Sequence, residues 1–204
     1  MVDRYRSFSE LSRREREGED WAREYVDRGS RILVMAPHGG WIEPFTAELA
    51  RAVAGEELSF YAFQGLNARG NRILHVTSHR FDEPLALEAT SSARWVLAIH
   101  GERDAERPFV MVGGLWASFR ERMTRAFQEA GVPVKGPRRG LGGVHPKNIC
   151  NRGRAGRGGQ LEISEALRSH LRRDPRALAD FAEVVRGVLL EAEARRPVGV
   201  SRGR

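Results

Sequence analysis

Along the chain, short runs that are apolar at every position alternate with segments whose apolar residues recur at helical spacing. Ile32-Leu33-Val34-Met35-Ala36 is the first such run, and it ends at Pro37-His38-Gly39-Gly40. A strand with one wet face alternates polar and apolar residues, so an unbroken apolar run predicts a strand covered on both faces. Leu58 to Phe63, Ile73 to Val76, Trp95 to Ile99 and Phe109 to Val112 read as further strands, and Gln160-Leu161-Glu162-Ile163 as a short one. Pro44 suits the first turn of a helix continuing from Thr46 to Ala54, and Trp116 to Ala130 is amphipathic and stops at Gly131. Helix is also expected from Ser164 to His170, and from Asp174-Pro175 to about Ala194. Ser7 to Asp27, rich in Glu and Arg with Leu11, Trp21 and Tyr25 as its apolar points, reads as an exposed helix laced with ion pairs.

These elements predict a helical segment over 1–30 packed on one α/β catalytic domain over 31–194, with a flexible tail over 195–204. The domain is expected to be a single open mixed sheet flanked by helices. Gly136 to Gly159 stands out as a long loop rich in Gly and Arg, and loops of that length in compact domains are functional or disordered.

Composition narrows the chemistry. A chain of 204 residues fits one domain with a sizeable core. No stretch approaches the roughly 20 apolar residues that span a bilayer. Met1-Val2-Asp3-Arg4-Tyr5-Arg6 carries no apolar signal core, so a cytoplasmic monomer is expected, released by lysis if phage-encoded. The single cysteine, Cys150, rules out an intramolecular disulfide and a thiolate zinc finger. Any bound metal must therefore take mainly imidazole and carboxylate ligands, the donor set of an open catalytic site. The net charge of +7 rests almost wholly on arginine, since Lys135 and Lys147 are the only lysines. Genomic base composition explains such a bias, and so does an anionic partner, either a polycarboxylate or nucleic acid.

Two strand ends look alike: Ala36-Pro37-His38-Gly39-Gly40 and Ala98-Ile99-His100-Gly101. In open α/β sheets, ligands bind where the carboxyl ends of strands meet their loops. A histidine followed by glycine there stands on a rigid strand with backbone slack behind it, and two on neighbouring strands can meet one metal ion. Glu43, five residues after His38 and past a glycine turn, can swing back to the same point. Two imidazoles and a carboxylate leave a fourth position for water, as in catalytic zinc sites. His75, His79 and His145 are rivals, read mainly as pocket wall, and His170 as surface. If Gln160-Leu161-Glu162 is a strand, Glu162 faces away from the core and is a candidate general base. The preceding loop sets Arg152, Arg154 and Arg157 among glycines with Asn148 and Asn151. It is read as a clamp for substrate carboxylates, with an RNA-binding loop as the alternative.

At these residues the chain resembles the poly-γ-glutamate hydrolase family of phages and bacteria, also labelled phage replication-related proteins. The likeness rests on the His38 and Glu43 segment with Ile42 and Pro44, Thr77-Ser78 with Phe81-Asp82-Glu83-Pro84, and Ile99-His100-Gly101. It continues through Gly113-Gly114 and Asn148-Ile149-Cys150-Asn151-Arg152 to Gln160-Leu161-Glu162-Ile163, in one order from about residue 31 to 170. The resemblance implies a fold similar to zinc carboxypeptidases and zinc-dependent hydrolysis of γ-linked glutamate chains. It implies His38, Glu43 and His100 as Zn2+ ligands, Glu162 as general base, and Asn151-Arg152 gripping a substrate carboxylate. Two other functions stay open: a non-enzymatic arginine-rich nucleic-acid-binding protein, and an amidohydrolase acting on a small acylated amino acid.

Overall fold

The computed structural model describes residues 3–67, 70–138 and 140–194. The tail expected over 195–204 lies outside them. Among the described residues, seven strands form one mixed sheet in the order β1-β3-β2-β4-β7-β5-β6. They are β1 (Trp21–Val26), β2 (Ile32–Gly40), β3 (Ser59–Gly65), β4 (Trp95–Glu102), β5 (Val110–Gly113), β6 (Val134–Lys135) and β7 (Gly159–Ser164). The centre of the sheet, β3-β2-β4-β7, is parallel throughout. At the edges, β1 runs antiparallel to β3 and β5 antiparallel to β7.

The unbroken apolar runs are explained by a core on each side. Ile32, Val34 and Ala36 face one core, where α2 (Thr46–Ala54), α4 (Ala117–Glu129), α5 (Glu165–Arg173) and α6 (Pro175–Ala194) pack. Leu33 and Met35 face the other, closed by the N-terminal segment with α1 (Phe8–Leu11), by α3 (Pro84–Ser92), and by Val76, Phe81 and Ile149. Each large apolar side chain so buried contributes about 1.5–3 kcal/mol. Among the described residues, no helix is long and apolar enough to cross a membrane.

Two expectations are corrected. The helix expected over Ser7 to Asp27 is a single turn, α1, followed by turns and the edge strand β1. Trp21 and Tyr25 are four apart, a spacing that satisfies a strand of period two as well as a helix. The charged residues pair across elements: Glu24 with Arg51 on α2, and Arg23 with the buried Glu83 ahead of α3. The strand expected at Ile73 to Val76 is a 3₁₀ turn over Asn71–Leu74 followed by extended chain. Leu74 and Val76 are buried as a strand would have them, but the Val76 carbonyl accepts from His38 rather than from a neighbouring strand.

Ser164 joins three elements. Its buried hydroxyl accepts from Leu167 N–H, capping α5, and from Phe109 N–H at the start of β5. Ser164→Ala leaves both donors unpaired, and we expect a loss of about 1–3 kcal/mol. Thermal denaturation should then show a melting point lower by roughly 2–4 °C per kcal/mol, with the site geometry unchanged.

Candidate active site

The three parallel strands β2, β4 and β7 end together, and each delivers one polar side chain there. His38 and His100 are 1% and 3% exposed, and Glu162 is 7% exposed. Glu162 stands directly beside His100 in the β4–β7 register, on the face opposite Leu161 and Ile163, as the alternation predicts. Gly40, with φ 61°, turns the chain after β2, where a side chain would run into the Gly65 backbone. Glu43 then folds back: its N–H donates to His38 O at 2.9 Å, and its Oε2 accepts from Gly101 N–H at 2.7 Å.

His38 Nδ1 lies 3.1 Å from His100 Nδ1 and 3.2 Å from Glu43 Oε1, and His100 Nδ1 lies 3.5 Å from Glu43 Oε2. A tetrahedral ion bound at about 2.0–2.1 Å spaces its donors by about 3.3–3.4 Å, close to these separations, of which the two to Glu43 run to its different oxygens. The hydrogen bonds say the same. His38 Nε2 sits 2.9 Å from Val76 O, which can only accept, so Nε2 carries the proton. Nδ1 therefore faces the Glu43 carboxylate, and a cation or a proton lies between the two groups. His100 Nε2 lies 3.3 Å from Ser78 Oγ, an outer partner of the kind that orients a ligating imidazole. Burial opposes ionisation of Glu43, but the His38 and His100 imidazoles outweigh it and hold the carboxyl well below the usual range.

A third histidine adjoins the tripod. His75 Nδ1 lies 2.7 Å from Asp3 Oδ1, and Asp3 Oδ2 accepts from Thr77 N–H at 2.7 Å. Asp3 thus fixes the chain on either side of Val76, the residue that orients His38. His75 Nε2 stands 3.9 Å from Glu43 Oε1, and His38, Glu43 and His75 form a second possible donor set. The His75 and His38 ring centres lie 4.1 Å apart with the rings tilted by 36°. The His100 tripod is the tighter. The neighbouring His38, and then burial, pull His75 down to about 4, so it is neutral at physiological pH.

Burial pushes the Glu162 carboxyl well above the usual range, and the charge of Glu43 adds to this. Gln160 Nε2 donates to Glu162 Oε1 at 2.9 Å and to Leu141 O at 3.1 Å, tying the carboxylate to the glycine-rich loop. A cavity of about 510 Å³ opens against Glu43 and Gly101 and is lined by Arg72, Arg103, Arg168 and Arg172. Arg168 is buried: Nε donates to Pro44 O at 2.9 Å and Nη1 to Glu102 O at 3.1 Å. Its guanidinium lies against Gly101, where any side chain would collide with it. Burial lowers its pKa, with Glu43, Glu165, Glu162 and Glu102 opposing.

The expected substrate residues are redistributed. Asn151 is not free to bind a ligand. Its Oδ1 accepts from Leu115 and Gly158 N–H, and its Nδ2 donates to Gly143 and His145 O, so the amide is saturated by loop backbone. Arg152 is half-buried, with Nε on Lys147 O and Nη2 on His79 O. Arg154 and Arg157 lie at the opposite edge of the sheet, in a separate cavity with Arg31 and Arg94, where β2 and β4 begin. The arginines beside Glu43 come instead from the Asn71 turn, the end of β4, and α5. No local pattern marks Arg168, which sits among other arginines in a helix whose sequence reads as solvated.

Fold and site together define an open α/β protein with a histidine–carboxylate cluster in a cleft at the carboxyl edge of its sheet, where such sheets bind their ligands. The chain belongs to the poly-γ-glutamate hydrolase family, whose model matches residues 5–179. It is 36% identical to the UPF0714 protein YndL of Bacillus subtilis over 171 residues, 83% of this chain and 67% of that protein. It is 37% identical to YmaC of the same organism over 169 residues, 81% of this chain and 71% of that one. The structure of a bacteriophage poly-γ-glutamate hydrolase superposes with a TM-score of 0.88 at 31% identity, covering 94% of this chain and 98% of that one. The zinc-free apo form of YndL does so at 0.87 and 33%, covering 94% and 99%.

Proposed function

We propose that the protein is a zinc-dependent hydrolase of γ-glutamyl amide bonds, with His38, Glu43 and His100 as ligands and Glu162 as general base. The observation that carries this reading is the tripod with edges of 3.1, 3.2 and 3.5 Å, beside a buried carboxylate in register with one of its histidines. Zinc bound there would polarise the amide carbonyl and make water a nucleophile near neutral pH. The remaining work belongs to the chain. Glu162 takes a proton from the attacking water and returns it to the leaving nitrogen. A carboxyl held above its usual range by burial suits a group that must both accept and release a proton. Gln160 holds one Glu162 oxygen in place for that exchange.

A γ-linked glutamate chain carries a free carboxylate on every residue. Arg168, Arg72 and Arg172, lining the cavity beside Glu43, supply guanidinium groups for carboxylates flanking the scissile bond. The family match, and the words poly-γ-glutamate hydrolase and zinc-free on two similar structures, support the same reading.

The test is to incubate the purified protein with poly-γ-glutamate and follow chain length by size-exclusion chromatography. Shortening is expected, with abolition by a chelator and recovery on adding zinc. Shortening that persists in a sample shown by elemental analysis to be metal-free would overturn the zinc assignment. No shortening by the zinc-loaded protein would overturn the substrate.

A further inference from the structure

The three strands that end at His38, His100 and Glu162 also begin together, and arginines gather there. Arg31 immediately precedes β2, Arg94 immediately precedes β4, and Arg154 and Arg157 lie in the loop leading into β7. The four line one open cavity of about 480 Å³. Its frame is backbone: Arg94 N–H donates to Arg31 O at 2.8 Å, Arg154 N–H to Ala93 O at 2.9 Å, and Ala155 N–H to Arg94 O at 3.0 Å. The Arg94 and Arg31 guanidinium carbons stand 4.5 and 5.5 Å from the Trp95 ring centre. Trp95 in turn stacks on Trp116 at 4.9 Å and 7°. Two of the four cations are therefore pinned on a buried aromatic column.

Several arginines elsewhere are paired, among them Arg23 with Glu17 and Glu83, Arg51 with Glu24, Arg107 with Asp104, Arg138 with Glu102, and Arg186 with Glu57. Among the described residues, none of the four guanidinium groups at the amino edge makes a hydrogen bond or an ion pair. Glu193, at the end of α6, directs its Oε1 to Arg31 N–H and Ser30 Oγ instead. Four like charges around one cavity repel one another, and an anion with several charges relieves that cost.

We infer that this cavity is a second binding site for a polycarboxylate chain, holding the polymer several residues away from the bond being cut. This rests on the γ-glutamyl reading of the carboxyl edge. A carboxylate chain is favoured over single-stranded nucleic acid because the aromatic present, Trp95, is only 6% exposed. Bases have no face there to stack on. Seven residues of extended chain separate Arg31 from His38, about 23 Å, so only a long polymer can touch both sites.

The test measures binding without turnover, in a Glu162→Gln background, by isothermal titration with long poly-γ-glutamate and with a γ-linked tripeptide. Arg154→Gln/Arg157→Gln changes two exposed loop positions, and Arg94→Gln is the second variant, with melting points checking the fold. Long-polymer affinity is expected to fall ~10-fold or more in the double variant and its salt dependence to weaken, while tripeptide affinity stays unchanged. Unchanged polymer affinity in both variants would overturn the inference. Loss of binding to a single-stranded oligonucleotide in place of the polymer would also overturn it. Hydrolysis of the long polymer by wild type is scored separately. If it fails while arginine-dependent polymer binding persists, the catalytic reading falls and the second site stands. If it succeeds without that dependence, the reverse holds.

Discussion

Glu162→Gln should lower kcat on poly-γ-glutamate by about 10²–10⁴, the range in which a positioned general acid–base contributes. The substitution keeps the shape of the side chain and an oxygen to accept from Gln160 Nε2, so the β7 backbone has no reason to move. It deletes only the capacity to take a proton. The zinc content should therefore equal that of the wild type, KM should change little, and the melting point should hold or rise. A rise has a physical basis: burial and the charge of Glu43 both disfavour an ionised Glu162, and a neutral amide removes that conflict. A variant that retains most of its kcat would remove Glu162 from the mechanism, whatever the fate of the metal assignment.

The second large effect is expected from His38→Ala. His38 stands at the centre of the tripod, making its two shortest edges, and its ring links it to Val76 O. Without it, one imidazole and one carboxylate remain of the proposed ligand set. Stoichiometric zinc, measured by elemental analysis after dialysis, should be lost, and hydrolysis with it. His75→Ala serves as the comparison. Its ring is tilted by 36° to that of His38, and its Nε2 stands farther from Glu43 than the His38 and His100 nitrogens do. It should keep zinc and lose only part of the activity. If His75→Ala loses the metal and His100→Ala does not, the second donor set is the true one.

The contrast between what the sequence reveals and what it hides has a simple cause. Glu162 is legible because the alternation of its strand turns it away from the core, and His38, Glu43 and His100 because each lies at or just beyond an unbroken apolar run. The central strands are legible for the same reason, since burial on both faces leaves no polar residue to confuse the period. β1 is hidden because it is an edge strand whose Glu and Arg pair with α2 and with Glu83, which gives it the composition of a solvated helix. Asn151 and Arg152 suggest a substrate grip by residue type, but the amide is consumed by four loop backbone groups that no local pattern discloses. Arg154 and Arg157 share a loop with Asn151, but that loop holds Arg154 against Ala93 where β4 begins. Arg168 and Asp3 are hidden for the opposite reason: they reach the site from α5 and from the N-terminal segment, far away in sequence.

The way Glu43 is held has a consequence for the order of assembly. His38 and Glu43 are close along the chain, but His100 is 62 residues further on, and Glu43 Oε2 is gripped by the amide of Gly101 on that same distant strand. The three donors cannot converge until β2 and β4 have paired, a contact whose loop-closure entropy makes it a late and slow event. In a refolding experiment, metal capture would therefore mark the completed sheet, and the unpaired chain would show only the weak affinity of scattered imidazoles.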